Sequence, residues 1–552
     1  MPASGRVPVR VEGLNVLIDA LEKEHASIVA NGRKAREHGE PIEYMALQEL
    51  YTIGSTVTSS AVGGLGGTPV AFRVEDAWYE PHRSVLGGRK YSFRIILSTV
   101  VAMAGEFVLV RFEHIFEEWT SSRELSRLTY ALFNESEDSP LHRELKQRSE
   151  SVTSLSCDKH SYRRYRAGCF FPKTLARNIG GGSSSDRQAA PGRLIVDTRR
   201  GLELGHSPAS TIDDLGLAIA FETKRLRNVQ RALRETDSEK QRMDRLQASG
   251  LQLWGSLPKC MALLCWPTVV AFSLTLKTWG FVLVDGLEEI ETSDDAWEQL
   301  MLPLKTKEML LAMAISTQRD PQCPPRYRFR DVVDDKAGGV LFLLYGPPGT
   351  GKTLSVEALA SKFGRPLYTL SFAELGSTVA ELEERLTDVL ALAAHWGALV
   401  LLDEGDALVE KRQKGQLLLN SMTGVLLRLL ETFDGALFIT SNRASEFDGA
   451  ALSRVTLAVR YELLDFSAKE AVWRNALARV LMYEHDAARS REEALKIVDS
   501  TFNLSKLADF AGSGRAVGAV VKLAVGLAEQ RGRSTLSQAV LDDAVEVWSG
   551  FH

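Results

Sequence analysis

The sequence has 552 residues, of which 45% are hydrophobic and 25% are charged, with 66 Lys and Arg against 71 Asp and Glu. These values are ordinary for a globular chain, and at roughly 150 residues per domain the length predicts several domains. They exclude wholesale disorder, a collagen-like chain and a small disulfide scaffold. The net charge of -5 provides no bulk electrostatic attraction for nucleic acid.

The compartment is inferred from cysteine usage and from the absence of a targeting pattern. Five cysteines in so long a chain indicate a reduced, intracellular location, cytoplasmic or nuclear, with the mitochondrial matrix as an alternative. A membrane span needs about 20 apolar residues, but the longest candidate, residues 95–110, is interrupted by Glu106. We therefore predict no transmembrane segment, and the N-terminus lacks the apolar core of a secretory signal.

Residues 1–284 are predicted to form an N-terminal mixed α+β region of unknown function, without a recognisable catalytic constellation. Its elements, in chain order, are one or two core strands in 92–112, a helix over 117–133, a flexible Gly- and Ser-rich loop at 178–192, a charged helical stretch at 222–247 and strands within 263–284. Acids are interspersed among the arginines of 222–247, which favours a solvated helix face over a nucleic-acid patch.

Residues 285–465 have a different pattern of apolar and polar residues. Short apolar runs alternate there with helical patterns, at 340–345, 366–371, 398–403, 436–441 and 457–462. Strands that alternate with helices predict a parallel sheet covered by helices on both faces. Residues 466–552 show helical patterns only and are predicted to form a separate helical subdomain.

A phosphate-binding loop follows the first of these runs. The segment GPPGTGKT at 346–353 matches the pattern G-x-x-x-x-G-K-[ST], and it stands between a strand and a helix, which is the context the motif requires. Its glycines let backbone N–H groups point at phosphate oxygens. Lys352 should reach the β- and γ-phosphates, and the Thr353 hydroxyl should ligate Mg²⁺. The predicted ATP contacts are Gly346, Pro347, Pro348, Gly349, Thr350, Gly351, Lys352, Thr353, Leu354 and Asp403.

Two further strands end in polar residues that suit ATP hydrolysis. The apolar run at 398–402 is followed by Asp403, which would hold Mg²⁺ directly or through water, and by Glu404, which would act as general base on the attacking water. The strand at 436–441 ends at Asn442, which we expect to orient that water or to contact the γ-phosphate. The alternative for Asn442 is a turn residue.

These motifs together resemble those of the AAA+ ATPases. The segments GPPGTGKT, VLLDEGDAL and SNR are similar to the Walker A, Walker B and sensor-1 motifs of that superfamily. The resemblance implies a P-loop NTPase αβα core with a five-stranded sheet at 285–465, a C-terminal helical lid at 466–552, and Asn442 as the sensor-1 residue. The sequence also resembles a mainly fungal group of AAA+ proteins with a long N-terminal region, in segments such as FSLTLKTWGFVLVDGLEEI and GRLIVDTRRGLELGH.

The same resemblance gives two arginines a catalytic role. Arg454 is similar to an arginine finger, which reaches the γ-phosphate bound by the neighbouring subunit, and Arg443 and Arg460 compete for that role. Arg515 is similar to a sensor-2 arginine acting within its own subunit. Either guanidinium would neutralise charge on the transferred phosphoryl group. The alternative for both Arg454 and Arg515 is a surface arginine paired with nearby acids.

The chain departs from the best-known members of the superfamily at three places. Only Ser453-Arg454 remains of the usual R-P-G-R finger segment, and Gly405 stands where a larger residue is usual. The segment FAELGSTVAELEERL lacks the aromatic pore loop that grips a threaded polypeptide. The last departure argues against peptide threading and leaves ATP hydrolysis untouched.

The sequence therefore predicts a magnesium-dependent ATPase that converts ATP and water to ADP and phosphate and remodels a protein client, which the sequence does not identify. The resemblance implies a homo-oligomeric ring, most often a hexamer. One alternative is a nucleotide-gated scaffold with negligible turnover. Another is a translocase like the mitochondrial inner-membrane AAA proteins, which the lack of a transmembrane segment disfavours.

Overall fold

The structure, a computed structural model, describes most of the chain as two compact units, Met1–Glu289 and Ile290–His552. The described residues are 16, 20, 23–62, 65–83, 89–133, 136–157, 159–172, 190–234, 238–317, 339–376, 378–406, 417–443, 449–483, 490–510, 512–531 and 536–550.

The N-terminal unit is a mixed α+β structure. Its strands are β1 (Thr56–Ser59), β2 (Val70–Arg83), β3 (Arg89–Met103), β4 (Glu106–Phe116), β5 (Ala131–Leu132), β6 (Ser161–Tyr165), β7 (Phe170–Pro172), β8 (Gly192–Val196), β9 (Leu253–Trp254), β10 (Thr268–Ser273), β11 (Thr278–Leu283) and β12 (Leu287–Glu288). Its helices are α1 (Ala26–His38), α2 (Leu47–Leu50), α3 (Pro140–Cys157), α4 (Thr198–Glu203), α5 (Asp214–Arg234) and α6 (Glu239–Ser249).

Two six-stranded sheets organise this unit. The first has the strand order β5-β1-β2-β3-β4-β9, and the second has the order β12-β6-β8-β10-β11-β7. The paired strands run antiparallel. Because β12 pairs with β6, the N-terminal unit continues past residue 284, where the sequence placed its end.

One sequence prediction in this unit is wrong. Residues 117–133 do not form the expected helix: the segment contains a single 3-10 turn at Leu125–Arg127 and the strand β5, which pairs with β1. Its large side chains do not form one helix face but pack separately against other parts of the unit. Trp119 packs edge-on against Tyr44, with 4.9 Å between ring centroids, and Tyr130 is 1% exposed. Tertiary contacts therefore override a helical spacing that is real in the sequence.

Other expectations for this region are met or lie outside the described residues. Within the charged stretch, residues 222–234 lie in helix α5 and residues 239–247 lie in helix α6, and residues 263–284 contain the paired strands β10 and β11. Most of the segment 178–192 lies outside the described residues.

The C-terminal unit contains a parallel sheet followed by a helical bundle. Its strands are β13 (Val340–Tyr345), β14 (Leu367–Ser371), β15 (Leu399–Asp403), β16 (Ala436–Ser441) and β17 (Leu457–Arg460). The first seven helices are α7 (Asp295–Glu298), α8 (Leu304–Ser316), α9 (Lys352–Phe363), α10 (Val379–Trp396), α11 (Leu417–Thr432), α12 (Gly449–Leu452) and α13 (Phe466–Tyr483). They are followed by α14 (Arg491–Thr501), α15 (Leu504–Ala508), α16 (Gly514–Gln530) and α17 (Gln538–Ser549).

The sheet has the strand order β14-β15-β16-β13-β17, and all of its described pairs are parallel. The strands β13, β15 and β16 are buried along nearly their whole length, as expected for a sheet covered on both faces. The predicted parallel sheet is therefore confirmed. Because β15, β16 and β13 are parallel neighbours, the segments that follow these three strands start at the same end of the sheet, beside one another.

Helices α13–α17 form a helical bundle that follows the sheet, and we refer to this bundle as the lid. Each presents an apolar face to a common core that includes Trp473, Leu477, Val520 and Val540, all fully buried. Within the described part of the chain, no helix combines the length and apolar character needed to cross a membrane.

Candidate functional site

The loop between β13 and α9 curls back on itself, as the motif predicts. Gly346 has φ 144°, and a Cβ atom at this position would lie 2.2 Å from the backbone oxygen of Tyr461. Only glycine fits so close to the end of β17. The Thr350 hydroxyl donates to the Pro347 carbonyl at 2.9 Å, which fixes the shape of the turn. Helix α9 starts at Lys352, so its N-terminal N–H groups face the loop.

Lys352 lies inside this loop. Its Nζ donates to the carbonyl oxygens of Gly346 and Pro347, both at 2.8 Å, and the residue is only 7% exposed. Desolvation lowers the pKa of its ammonium group from the ordinary value; Asp406 and Asp403 act in the opposite direction, and the charge of Arg515 adds to the lowering. The one flexible cation of the loop is therefore held where phosphate oxygens would compete for it.

Thr353 and Asp403 meet across the edge of the sheet. The Thr353 hydroxyl donates to Asp403 Oδ1 at 3.0 Å, although the two residues come from α9 and β15. A hydroxyl and a carboxylate at this distance are hard oxygen ligands, which suits Mg²⁺ together with water and phosphate oxygens. The described residues hold no cluster of three or more His, Cys, Asp and Glu that would make an all-protein metal cage. The donor set therefore fits a magnesium ion shared with a nucleotide.

Glu404 and Asn442 lie beside this pair. Both are exposed, and both line the same cleft. Glu404 has a left-handed backbone with φ 54°. The Asn442 backbone N–H donates to Asp406 Oδ1 at 3.0 Å, and the Ser441 hydroxyl donates to the same oxygen at 2.5 Å.

Sequence reasoning missed two residues of this site, Asp406 and Thr440. Asp406 anchors the end of β16 through the two bonds just described. The available signal was its place in the run DEGD, where a third acid follows the two that were singled out. Thr440 contacts Asp403 and the Glu404 backbone, but a threonine inside a strand gives no signal, since β-branched residues favour strands anyway.

The lid contacts the phosphate loop directly. The Gly514 N–H, at the start of α16, donates to the Gly349 carbonyl at 3.1 Å. Gly349 has φ 73°, and a Cβ there would lie 2.4 Å from Ser513 Oγ. Arg515, which follows Gly514, lines the cleft, so the lid contributes a second cation to the site besides Lys352.

A cleft of about 440 Å³ joins these parts, a volume within the usual range for ligand sites. Part of its lining is polar and comprises the phosphate loop, Asp403, Glu404 and Asn442. Another part is apolar and comes from the α7–α8 segment, α9 and the lid, with Leu300, Met301, Leu354, Val472, Ala476 and Val517. The lining suits a ligand with a polyanionic part and an apolar part.

The candidate finger arginines lie elsewhere. Arg454 does not line the cleft; its Nη2 lies 2.5 Å from Glu431 Oε1 on α11, and its side chain is 35% exposed. Arg443 directly follows Asn442, and Arg460 ends β17; both are exposed. Within one chain, the predicted catalytic and ATP-binding residues other than Arg454 line the cleft or belong to the phosphate loop.

Comparisons with known proteins agree with this geometry. Residues 342–463 match the family model described as "ATPase family associated with various cellular activities (AAA)". Fidgetin-like protein 1 of Homo sapiens is 31% identical over 170 residues, which are 29% of this chain and 24% of that protein. Spastin of Drosophila persimilis is 27% identical over 209 residues, or 36% of this chain and 25% of that protein.

A third relative, ATPase family AAA domain-containing protein 3 of Caenorhabditis elegans, is 28% identical over 191 residues, or 32% of each chain. The alignments thus span about a quarter to a third of these relatives' own length. Residues 342–463 are therefore similar to an AAA-family ATPase domain, and the α/β fold and the phosphate loop agree with this similarity.

Proposed function

We propose that this protein is a magnesium-dependent AAA+ ATPase that hydrolyses ATP to ADP and phosphate and uses the cycle to remodel a protein partner. One observation carries the proposal: Lys352, Thr353, Asp403, Glu404 and Asn442, which come from three segments of the sequence, border one cleft that the lid also lines. A cation, a hydroxyl, two carboxylates and an amide that border one cleft are the groups that phosphoryl transfer uses, where positioning and charge neutralisation provide most of the catalysis.

The chain's own groups then take distinct roles. Bound ATP and Mg²⁺ would supply the transferable phosphoryl group and neutralise part of its charge. Lys352 exchanges its loop carbonyls for phosphate oxygens, and Thr353 and Asp403 provide oxygen ligands for the metal. Glu404 accepts a proton from the attacking water, and Asn442 orients that water or the γ-phosphate.

Two arginines complete the proposed site in different ways. Arg515 already lines the cleft of its own chain, which supports a role in cis. Arg454 lies outside that cleft, which is what a finger that serves a neighbouring subunit requires. A head-to-tail contact that repeats until it closes forms a ring, and we propose such a homo-oligomer, with the size left open.

The second candidate is a nucleotide-gated interaction protein with negligible turnover. The observation that favours it is the ion pair between Arg454 and Glu431, because a finger must leave that partner before it can reach a phosphate. In either case we propose an intracellular location, from the cysteine usage, and partner recognition by the N-terminal unit. The resemblance of residues 192–206 to the mainly fungal group supports a dedicated N-terminal module.

Phosphate release by the purified full-length protein tests the proposal. We expect Mg²⁺-dependent turnover in wild type and a loss of about a hundredfold or more in Glu404→Gln, since general-base catalysis contributes that much, with ATP binding retained. Equal turnover in both proteins would refute the general base. Absence of turnover in wild type, with ATP-dependent partner capture, would favour the interaction protein.

Mixing variants tests the trans arrangement. Arg454→Ala should lower turnover by about a thousandfold if it is a finger, while ATP affinity changes little. Arg454→Ala and Glu404→Gln proteins, each nearly inactive, should recover activity when mixed, because one supplies the arginine and the other the base. Arg443→Ala and Arg460→Ala, tested in the same mixing assay, examine the two competing candidates for the finger. No recovery, with activity independent of protein concentration, would indicate a cis arginine, and Arg515 would be the first candidate.

A further inference from the structure

Glu404 has a backbone conformation that non-glycine residues rarely adopt. Of the residues the structure describes, three non-glycine residues have positive φ: Ala104, Lys277 and Glu404. The first two lie in the tight turns that join β3 to β4 and β10 to β11, where such angles are common. Glu404 is in no hairpin; it directly follows a parallel strand. A strained residue of this kind persists only where its surroundings hold it, and such residues concentrate at functional sites.

Thr440, on the neighbouring strand β16, provides the restraint. Its hydroxyl oxygen accepts a hydrogen bond from the Glu404 N–H at 3.0 Å, and its carbonyl accepts one from the Gly405 N–H at 2.9 Å. The same hydroxyl donates to Asp403 Oδ1 at 2.5 Å. The directions are forced, because a backbone N–H can only donate and the single hydroxyl proton is then left for the carboxylate. Thr440 is 2% exposed, so its side chain is held in place by the packed strands on either side.

Gly405 allows this approach. A Cβ atom at position 405 would lie 2.7 Å from Ile439 Cγ2 on β16. A larger residue would therefore push the turn at 404–405 away from the strand and lengthen both bonds to Thr440. The structure thus explains why a glycine stands at position 405, where AAA+ proteins usually have a larger residue. It lets the turn that carries Glu404 lie directly against β16.

We infer that Thr440 is a positioning residue of the ATPase, which sets the metal-ligand carboxylate of Asp403 and the general base Glu404 relative to each other. This inference rests on the proposed function. One hydroxyl fixes the orientation of the carboxylate and the direction in which the next residue leaves the strand. The Asp403 oxygen that Thr440 holds is also the one that accepts from Thr353, so the hydroxyl supports the metal side of the site as well.

The variants Thr440→Val and Thr440→Ser separate positioning from packing. Valine keeps the shape and removes the hydroxyl, whereas serine keeps the hydroxyl. We expect Thr440→Val to lower kcat by about 10- to 100-fold, within the range that misplacing a catalytic group costs, with a much smaller change in the KM for ATP. It should also raise the Mg²⁺ concentration needed for half-maximal activity severalfold. Thr440→Ser should stay within about threefold of wild type.

Thr99→Val is the matched control. Thr99 is a fully buried threonine of the N-terminal unit, and its hydroxyl donates to the Leu264 carbonyl at 2.8 Å. The variant makes the same chemical change in another sheet, so it should lower the unfolding temperature without changing kcat or the Mg²⁺ dependence. A purely structural role for Thr440 predicts that Thr440→Val behaves in the same way.

The outcomes distinguish the two hypotheses. Absence of turnover in wild type would refute the proposed ATPase and this inference with it. Turnover in wild type with an unchanged kcat in Thr440→Val would overturn the inference alone. If Thr440→Val does not fold, Thr440→Cys provides the same test, because a thiol keeps the volume but is a weak hydrogen-bond partner. Wild-type kcat in that variant would equally overturn the inference.

Discussion

The contact between the phosphate loop and the lid makes a quantitative prediction. Gly349 and Gly351 both have a left-handed backbone, with φ 73° and 97°. A Cβ at 349 would lie 2.4 Å from Ser513 Oγ and 2.6 Å from Ser513 Cβ, whereas a Cβ at 351 would meet nothing within 4 Å. Gly349→Ala and Gly351→Ala therefore share a backbone cost, and only the first adds a clash with the lid.

The magnitudes follow from these two terms. An alanine in the left-handed region costs about 1–2 kcal/mol, partly offset by about 0.4–1 kcal/mol of lost freedom in the unfolded chain. Gly351→Ala should therefore lower the free energy of unfolding by about 1 kcal/mol. Overpacking against Ser513 adds about 1–3 kcal/mol, so Gly349→Ala should cost about 2–4 kcal/mol.

Ser513→Gly provides the second side of a double-mutant cycle. Ser513 caps α16, and its Oγ accepts from the Ala516 N–H at 3.4 Å; a glycine cap costs only about a few tenths of a kcal/mol. Removing this side chain should recover most of the clash in Gly349→Ala and nothing in Gly351→Ala. The coupling energy should be about 1–3 kcal/mol for the first pair, in the range for residues in contact.

Urea unfolding of the full-length protein measures these values. The transition of the C-terminal unit is the one that shifts in wild type when ATP and Mg²⁺ are added, because a ligand stabilises the unit that binds it. The clash can be relieved by a shift of the lid or by strain in the loop, and in both cases it lowers the free energy of unfolding of the C-terminal unit. Equal losses in Gly349→Ala and Gly351→Ala, or no rescue by Ser513→Gly, would refute the contact between lid and loop.

Three further predictions concern single residues. Lys352→Ala should abolish tight ATP binding, because it removes the flexible cation of the loop; an affinity within threefold of wild type, measured with a fluorescent ATP analogue, would contradict its role. Arg365 is 8% exposed and donates to the carbonyls of Gly397 and Ala314 at the ends of α10 and α8, so Arg365→Met should cost about 2–4 kcal/mol by leaving these acceptors unpaired. A loss below about 0.5 kcal/mol in urea unfolding, typical of a surface change, would be inconsistent with this. Burial raises the pKa of Cys265 to about 12, so iodoacetamide at pH 8 should modify the exposed Cys260 first; equal labelling of native protein by peptide mass spectrometry would argue against the fold there.

The sequence alone determined the parts of this protein that depend on contiguous residues. Three features of the site are local sequence patterns: the phosphate loop, the acids that end β15 and the asparagine that follows β16. Each follows a strand directly, and the carboxyl ends of parallel strands lie on the same side of the sheet, where ligands bind. The alternation of apolar runs with helical patterns was likewise sufficient for the parallel sheet and the helical lid, since each element shows its own period.

Tertiary structure decided what depends on neighbours distant in the chain. Residues 117–133 have a helical spacing, yet Trp119 and Tyr130 pack singly into the N-terminal unit and no helix forms. Thr440 is an ordinary strand residue until the pairing of β15 with β16 brings it to Asp403 and Glu404. The bond from Gly514 to Gly349 joins the phosphate loop to a helix that lies far from it in the sequence. Such contacts arise from packing and strand register, which no local pattern encodes.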